Sequence, residues 1–136
     1  EVIQDQVLAA RFAVGILTSP EISDQDLFAR EYYRIGGTST VRGWDDFYPF
    51  SQGNEQVLAN LEYRFLFNEA FQLVFFVDMG NSVLSSARRL LDPTQYAIGK
   101  GLGIRFTIPV LGSIRLDWGI DNVGTNRIQF NVGQMF

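Results

Sequence analysis

An arginine set among glycines, with two carboxylates further along the chain, is the part of this sequence best equipped for chemistry. Arg42 sits in the run Ile35-Gly36-Gly37-Thr38-Ser39-Thr40-Val41-Arg42-Gly43-Trp44, and Glu62 and Asp78 follow on two later segments. A guanidinium offers its N–H donors in a planar fork that matches carboxylates, so these residues predict an ion cluster in which Arg42 pins a glycine-rich loop. Competing chemistries fit less well. Glu62 and Asp78 as an acid/base pair would suggest glycoside hydrolysis, but an arginine between them favours a structural cluster. Gly99, Gly101 and Gly103 lack the G-x-G-x-x-G spacing and a following helix, so they read as small residues making room on a wall rather than as a phosphate cradle. Asp45-Asp46 and Asp121-Asn122 with Asn126 lack an EF-type calcium spacing and read as solvated turns. Arg88-Arg89 reads as a solvated loop pair, with lipopolysaccharide phosphate as the sharper alternative. No metal and no cofactor is expected.

Composition narrows the field further. The chain has 136 residues, which suits one domain, with no cysteine, no histidine and a formal charge of −4. Disulfides, thiolate chemistry and the commonest metal ligand and general base are therefore excluded, and the expectation is a protein that is not an enzyme. Mild acidity and a single lysine, Lys100, argue against a nucleic-acid partner. No run approaches the roughly 20 apolar residues of a spanning helix, though barrel strands carry only a weak alternating signal. The first residues, with Glu1 and Asp5 and no initiating Met, do not read as a signal peptide; a processed start or an excised fragment is expected.

Rigid elements must position the cluster, and period-two alternation supplies six strands. The first, Leu8 to Thr18, sets Leu8, Ala10, Phe12, Val14 and Ile16 against Ala9, Arg11, Ala13 and Gly15. The second sets Val57, Ala59, Leu61, Tyr63 and Phe65 against Leu58, Asn60, Glu62 and Arg64. The third sets Phe71, Leu73, Phe75, Val77 and Met79 against Gln72, Val74, Phe76, Asp78 and Gly80. The fourth opposes Ile98, Leu102, Ile104, Phe106 and Ile108 to Gly99, Gly101, Gly103, Arg105 and Thr107. The fifth opposes Ile114, Leu116 and Trp118 to Arg115 and Asp117, and the sixth opposes Ile128, Phe130, Val132 and Phe136 to Gln129, Asn131 and Gly133. Glu62 and Asp78 both fall on polar faces.

The connections alternate. They are long over 19–56, tight at Asn68-Glu69-Ala70, long over 82–95, tight at Pro109-Val110-Leu111 and intermediate over 120–126. This is an up-and-down antiparallel pattern with one rim of long loops and one of tight turns, as in outer-membrane barrels. A soluble sandwich or a lipocalin-like barrel binding an apolar ligand would show the same alternation with its apolar face inward. Three details favour the membrane barrel: small residues on the polar faces of the first and fourth strands, aromatics near strand ends (Tyr63, Phe65, Phe67, Phe71, Trp118, Phe136), and a terminal Phe136 in register with the apolar series.

The loop Gly36 to Trp44 resembles the Val-Arg-Gly-aromatic loop of the bacterial surface-antigen superfamily, which includes BamA-type barrel-assembly insertases and two-partner-secretion transporters. Asn60-Leu61-Glu62-Tyr63-Arg64-Phe65, Phe76-Val77-Asp78-Met79-Gly80-Asn81, Gly101-Leu102-Gly103-Ile104-Arg105-Phe106 with Pro109, Ile114 to Gly119 and Phe130 to Phe136 resemble successive strands of that superfamily, in order and over nearly the whole chain. The resemblance implies a loop folded into the lumen, with Gly36, Gly37, Val41, Gly43 and Trp44 as its motif and Arg42 paired to Glu62 and Asp78. It implies a weak seam at the last strand, where Gly133 marks a bend and Phe136 ends the apolar series.

The function implied is insertion of other outer-membrane proteins, with polypeptide secretion as the alternative and a soluble barrel binding an apolar ligand as a less favoured third. The implied partners are the lipid bilayer, unfolded outer-membrane clients or a secreted polypeptide, and accessory assembly subunits, in the outer membrane of a diderm bacterium or an organelle of bacterial origin. Six strands cannot close a lumen around a loop, and members of this superfamily have about sixteen. The expected fold is therefore all-β, a C-terminal barrel segment over 1–136 completed by a larger chain or by an oligomer.

Overall fold

The computed structural model describes residues 5–18, 31–45, 52–84, 90–110 and 112–133. Six strands form one antiparallel sheet: β1 (Asp5–Ile16), β4 (Glu55–Leu66), β5 (Phe71–Val83), β6 (Ala97–Ile108), β7 (Gly112–Asp121) and β8 (Asn126–Val132), each beside its neighbour in that order. Two short strands, β2 (Tyr33–Arg34) and β3 (Gln52–Gly53), pair with each other between β1 and β4. Phe136, Asp46 and the Arg88-Arg89 pair lie outside the described residues.

Local chemistry sets the element ends. At the β4–β5 turn the Asn68 side chain accepts from the N–H groups of Ala70 and Phe71 at 2.9 and 2.8 Å, so the reversal is closed by the side chain that the sequence places there. The β7–β8 link, expected to be of intermediate length, is a tight turn. Strand β7 continues to Asp121, whose carboxylate accepts from Val123 N and Thr125 N at 3.0 and 2.8 Å. The loop expected over 19–56 stops at Asn54, because Glu55 and Gln56 oppose Ile16 and Gly15 on one side and Val83 and Ser82 on the other. Ladder partners on both edges draw them into strand.

The alternation resolves into two faces of opposite character, and the sense is inverted relative to a soluble protein. Fully buried side chains include Arg42, Arg115, Glu62, Asp78 and Asp117, whereas Phe12, Phe130 and Ile128 are 71%, 63% and 72% exposed. Apolar residues facing out and ionised ones facing in suit a bilayer outside and a polar lumen inside. The soluble barrel with an apolar interior is thereby overturned. Near the tight-turn rim the outward face carries a run of ring contacts, Tyr63–Phe65 and Phe65–Phe75 at 4.9 and 5.7 Å between centroids and Phe71–Phe106 at 5.1 Å, where an interfacial aromatic belt belongs.

The sheet curls around the inner face. Asn131 of β8 reaches Thr38 at 2.7 Å and Arg11 of β1 reaches the adjacent Ser39 at 3.3 Å, although these outermost strands would lie about 24 Å apart in a flat sheet. One short loop segment is thus touched from both edges. The described strands form an arc of a barrel, and among the described residues β1 and β8 do not pair with each other.

Candidate functional site

The strand register brings the inward carboxylates together before any loop is considered. Glu62 on β4 opposes Phe76 on β5, and Asn60 opposes Asp78, two residues along the same face. The next strands contribute Gly99, Gly101 and Gly103, which face Asp121, Gly119 and Asp117 of β7. The wall is therefore acidic at β4, β5 and β7 and thin where the β6 glycines lie beside Gly119.

The loop 35–45 lies in that thin region. A Cβ on Gly99 would stand 1.7 Å from the Arg42 carbonyl oxygen, so only a glycine lets the loop backbone rest on the strand there. Gly43 has φ +92 and packs against the Gly119 and Ile120 backbone, a conformation and a closeness that side chains resist. Gly37 N donates to Trp44 O at 3.1 Å, closing the loop on itself, and Thr40 Oγ1 donates to Gly36 O at 2.6 Å. A small apolar pad of Ile35, Val41, Trp44, Leu58 and Ala97 sits between loop and wall. Every strand of the sheet adds a tie: besides Arg11 and Asn131, Asn60 Nδ2 donates to Thr40 O at 2.6 Å and Trp44 Nε1 to Ile98 O at 3.1 Å. Arg115 Nη2 donates to Thr38 O at 2.8 Å, while Gln129 accepts from Gly43 N at 3.1 Å and donates to Trp44 O at 2.9 Å.

At the centre Arg42 grips Asp78 with two parallel bonds, Nε to Oδ2 at 2.7 Å and Nη2 to Oδ1 at 2.9 Å, and its backbone N–H adds a third at 3.1 Å. Its Nη1 donates to Glu62 Oε1 at 2.5 Å, and the guanidinium lies 3.8 Å from the centre of the Phe76 ring between the two acids. Burial opposes the Arg42 charge, but the bonded Asp78 carboxylate, with Glu62 and Asp117 nearby, outweighs this and holds the guanidinium pKa above its usual value. The three residues expected to form the ion cluster are thus in direct contact.

Further partners were legible only as polar-face residues. Glu62 also accepts from Arg105 at 2.8 Å and Arg64 at 2.8 Å, and Arg105 bridges to Asp117 at 3.0 Å. Asp117 Oδ2 stands 3.9 Å from both Arg42 Nη1 and Arg115 Nε. Four guanidinium groups (Arg42, Arg64, Arg105, Arg115) thus meet three carboxylates (Glu62, Asp78, Asp117), leaving one net positive charge. Near the long-loop rim Arg127 joins Asp45 at 2.8 Å and Asp121 at 3.2 Å and donates to Gly43 O at 2.8 Å. Alternation placed Arg64, Arg105, Arg115 and Asp117 on polar faces, but pairing them needs the register between strands. Asp121, expected in a solvated turn, is instead buried at the end of β7, where the Arg127 guanidinium and two turn N–H groups hold it.

Of the seam residues, Gly133 follows directly on β8 with φ +113 and donates to Ser113 O at 2.6 Å. Strand β8 has 7 residues, against 12 in β1 and 10 in β7. Phe136 lies beyond the described residues.

With this geometry in place, comparison with known proteins is informative. The family model described as the Omp85 superfamily domain matches residues 2–136. The outer envelope protein 80, chloroplastic, of Arabidopsis thaliana is 30% identical over 109 residues, which are 76% of this chain and 15% of that protein. The chain therefore spans a small part of the length of this curated relative.

Proposed function

Because the chain belongs to the Omp85 superfamily, we propose that it forms part of an outer-membrane barrel that inserts other outer-membrane proteins and is itself not an enzyme. Members of the superfamily sit in outer membranes of bacteria or in the chloroplast envelope, and the apolar outward face fits that setting. The observation that carries the reading is the contrast between the loop and β8. Thirteen residues before β4, Arg42 and its neighbours are tied to all six strands of the sheet, whereas β8 spans 7 residues against 12 in β1 and is followed at once by Gly133 with φ +113.

An open edge offers a row of unpaired N–H and C=O groups to an incoming strand. A barrel that opens at such an edge loses ladder bonds, and the buried ion cluster holds the rest of the arc together while it does. The remaining strands needed to close the lumen come from a larger chain or from further copies, and accessory subunits would deliver clients.

Secretion of a polypeptide through the lumen is a second reading, favoured by the way the loop crosses the inner face as a plug would. Folding of an unrelated small barrel into vesicles, timed with and without the protein, separates the two. Faster client folding supports insertion. Unchanged client folding, together with loss of one secreted partner on depletion, would replace it with transport.

A further inference from the structure

Lys100 is the only lysine in the chain, and it points outward. The outward series of β6 runs Ile98, Lys100, Leu102, Ile104 and Phe106, and in register Lys100 lies between Val77 of β5 and Ile120 of β7. The other charged outward residue among the described strand positions is Glu55, the first residue of β4. A cation in the middle of an apolar face needs a reason, since lysine on a barrel's lipid face is costly at the midplane and nearly free close to the interface.

Its depth supplies one. Lys100 is three residues from Ala97, where β6 begins at the long-loop rim, and Ile120 beside it is one residue from the end of β7. That is about 10 Å along the strand and, for a tilted strand, about 8 Å below the rim. A lysine stem can bridge that distance to the headgroup level. Among the described residues no carboxylate pairs with Lys100. Asp121, which borders the same groove, faces inward and is held by Arg127 at 3.2 Å and by the Val123 and Thr125 N–H groups.

Two grooves meet at this residue. One, of about 430 Å³, lies at the rim among Ile98, Lys100, Ile120, Asn122 and Gly124. The other, of about 400 Å³ and almost wholly apolar, runs down the outward face past Val77, Leu102 and Phe75 and shares Lys100 and Ile120 with the first. A polar-topped groove continuing into an apolar one has the shape and chemistry of a single amphiphile.

We propose that Lys100 seats an anionic phospholipid of the leaflet on the long-loop side. The ammonium pairs with the headgroup phosphate, and an acyl chain lies in the apolar groove below. The rest of the chain carries a net negative charge, which repels anionic lipid, so a preference for it must be local to this site.

Trp118, one step along β7 and opposite Leu102, is a built-in probe, 42% exposed on the same face. The membrane-embedded protein is placed in phosphatidylcholine vesicles containing brominated phosphatidylglycerol or, separately, brominated phosphatidylcholine, and the fluorescence component removed by Trp118→Phe is followed. The expected result is an about fivefold preference for the anionic quencher, lost in Lys100→Met and Lys100→Gln and kept in Lys100→Arg. Added inorganic phosphate leaves it unchanged, because the acyl chain holds the headgroup in place.

No preference in the unaltered protein, or one that survives Lys100→Met, overturns the proposal. Displacement by inorganic phosphate overturns a lipid as the occupant. Absence of quenching by either lipid means that protein covers this face, which also overturns it.

Discussion

Removing the Arg42 side chain takes away two bonds to Asp78 and one to Glu62, but the two acids are not left equally exposed. Glu62 keeps Arg64 and Arg105 at 2.7 and 2.8 Å, whereas Asp78 keeps only the Asn60 amide and the loop N–H of residue 42. All three side chains are fully buried, so the orphaned charge is that of Asp78. Breaking a buried pair from one side costs about 3–5 kcal/mol. In Arg42→Met combined with Asp78→Asn the orphan disappears, and the double-mutant cycle should return a coupling of about 3 kcal/mol. The cycle with Glu62→Gln should return about 1 kcal/mol, because two other guanidinium groups share that carboxylate. Arg42→Glu should destabilise further, with Asp78→Lys rescuing more than Glu62→Lys. Urea unfolding of the vesicle-embedded protein, followed by Trp fluorescence and by heat-modifiable gel migration, gives the free energies. Equal couplings, or both below about 0.5 kcal/mol, would refute the pinning geometry.

Other perturbations follow from single contacts. Gly99→Ala places a Cβ 1.7 Å from Arg42 O and should cost about 2 kcal/mol; Gly112→Ala, with open space around it and φ +87, should cost less, and the order of their urea midpoints checks this. Gln129→Leu removes both of its bonds to Gly43 and Trp44, a loss of about 2 kcal/mol that limited proteolysis of the loop should register as earlier cleavage. Trp44→Phe keeps the packing but loses the bond to Ile98 O, and its thermal midpoint should fall by the equivalent of about 1 kcal/mol.

The two faces of the sheet were readable from sequence because each strand repeats with period two and the two sides differ sharply in polarity. Glu62, Asp78, Arg105 and Asp117 were all assigned inward on that basis, and the loop motif singled out Arg42. The connection of Arg105 to both Glu62 and Asp117 was not readable, since it depends on how far β4, β6 and β7 are shifted against one another. Polarity constrains which face a residue takes but not which residue it opposes. The β2–β3 ladder was missed for a different reason: Tyr33–Arg34 and Gln52–Gly53 are too short to show a period, and they are placed by contacts such as Ser82 Oγ donating to Tyr33 O at 3.1 Å. The role of Gly99, Gly101 and Gly103 was anticipated as room on a wall, while what fills that room emerges only from the fold: the Arg42 carbonyl at Gly99, the Trp118 carbonyl and the Phe76 ring at Gly101, and the Asp117 carboxylate at Gly103.

The central claim is that the loop lies sealed against the inner wall with Arg42 as its pin. The chain has no cysteine, so one introduced at Val41, which is 0% exposed, reports directly on that seal. In membrane-embedded protein, Val41→Cys should resist a membrane-impermeant maleimide while Val123→Cys, at a position 71% exposed, reacts at once. Adding Asp78→Asn should unmask the buried thiol. Labelling of Val41→Cys as fast as Val123→Cys in the otherwise unaltered protein would contradict the account.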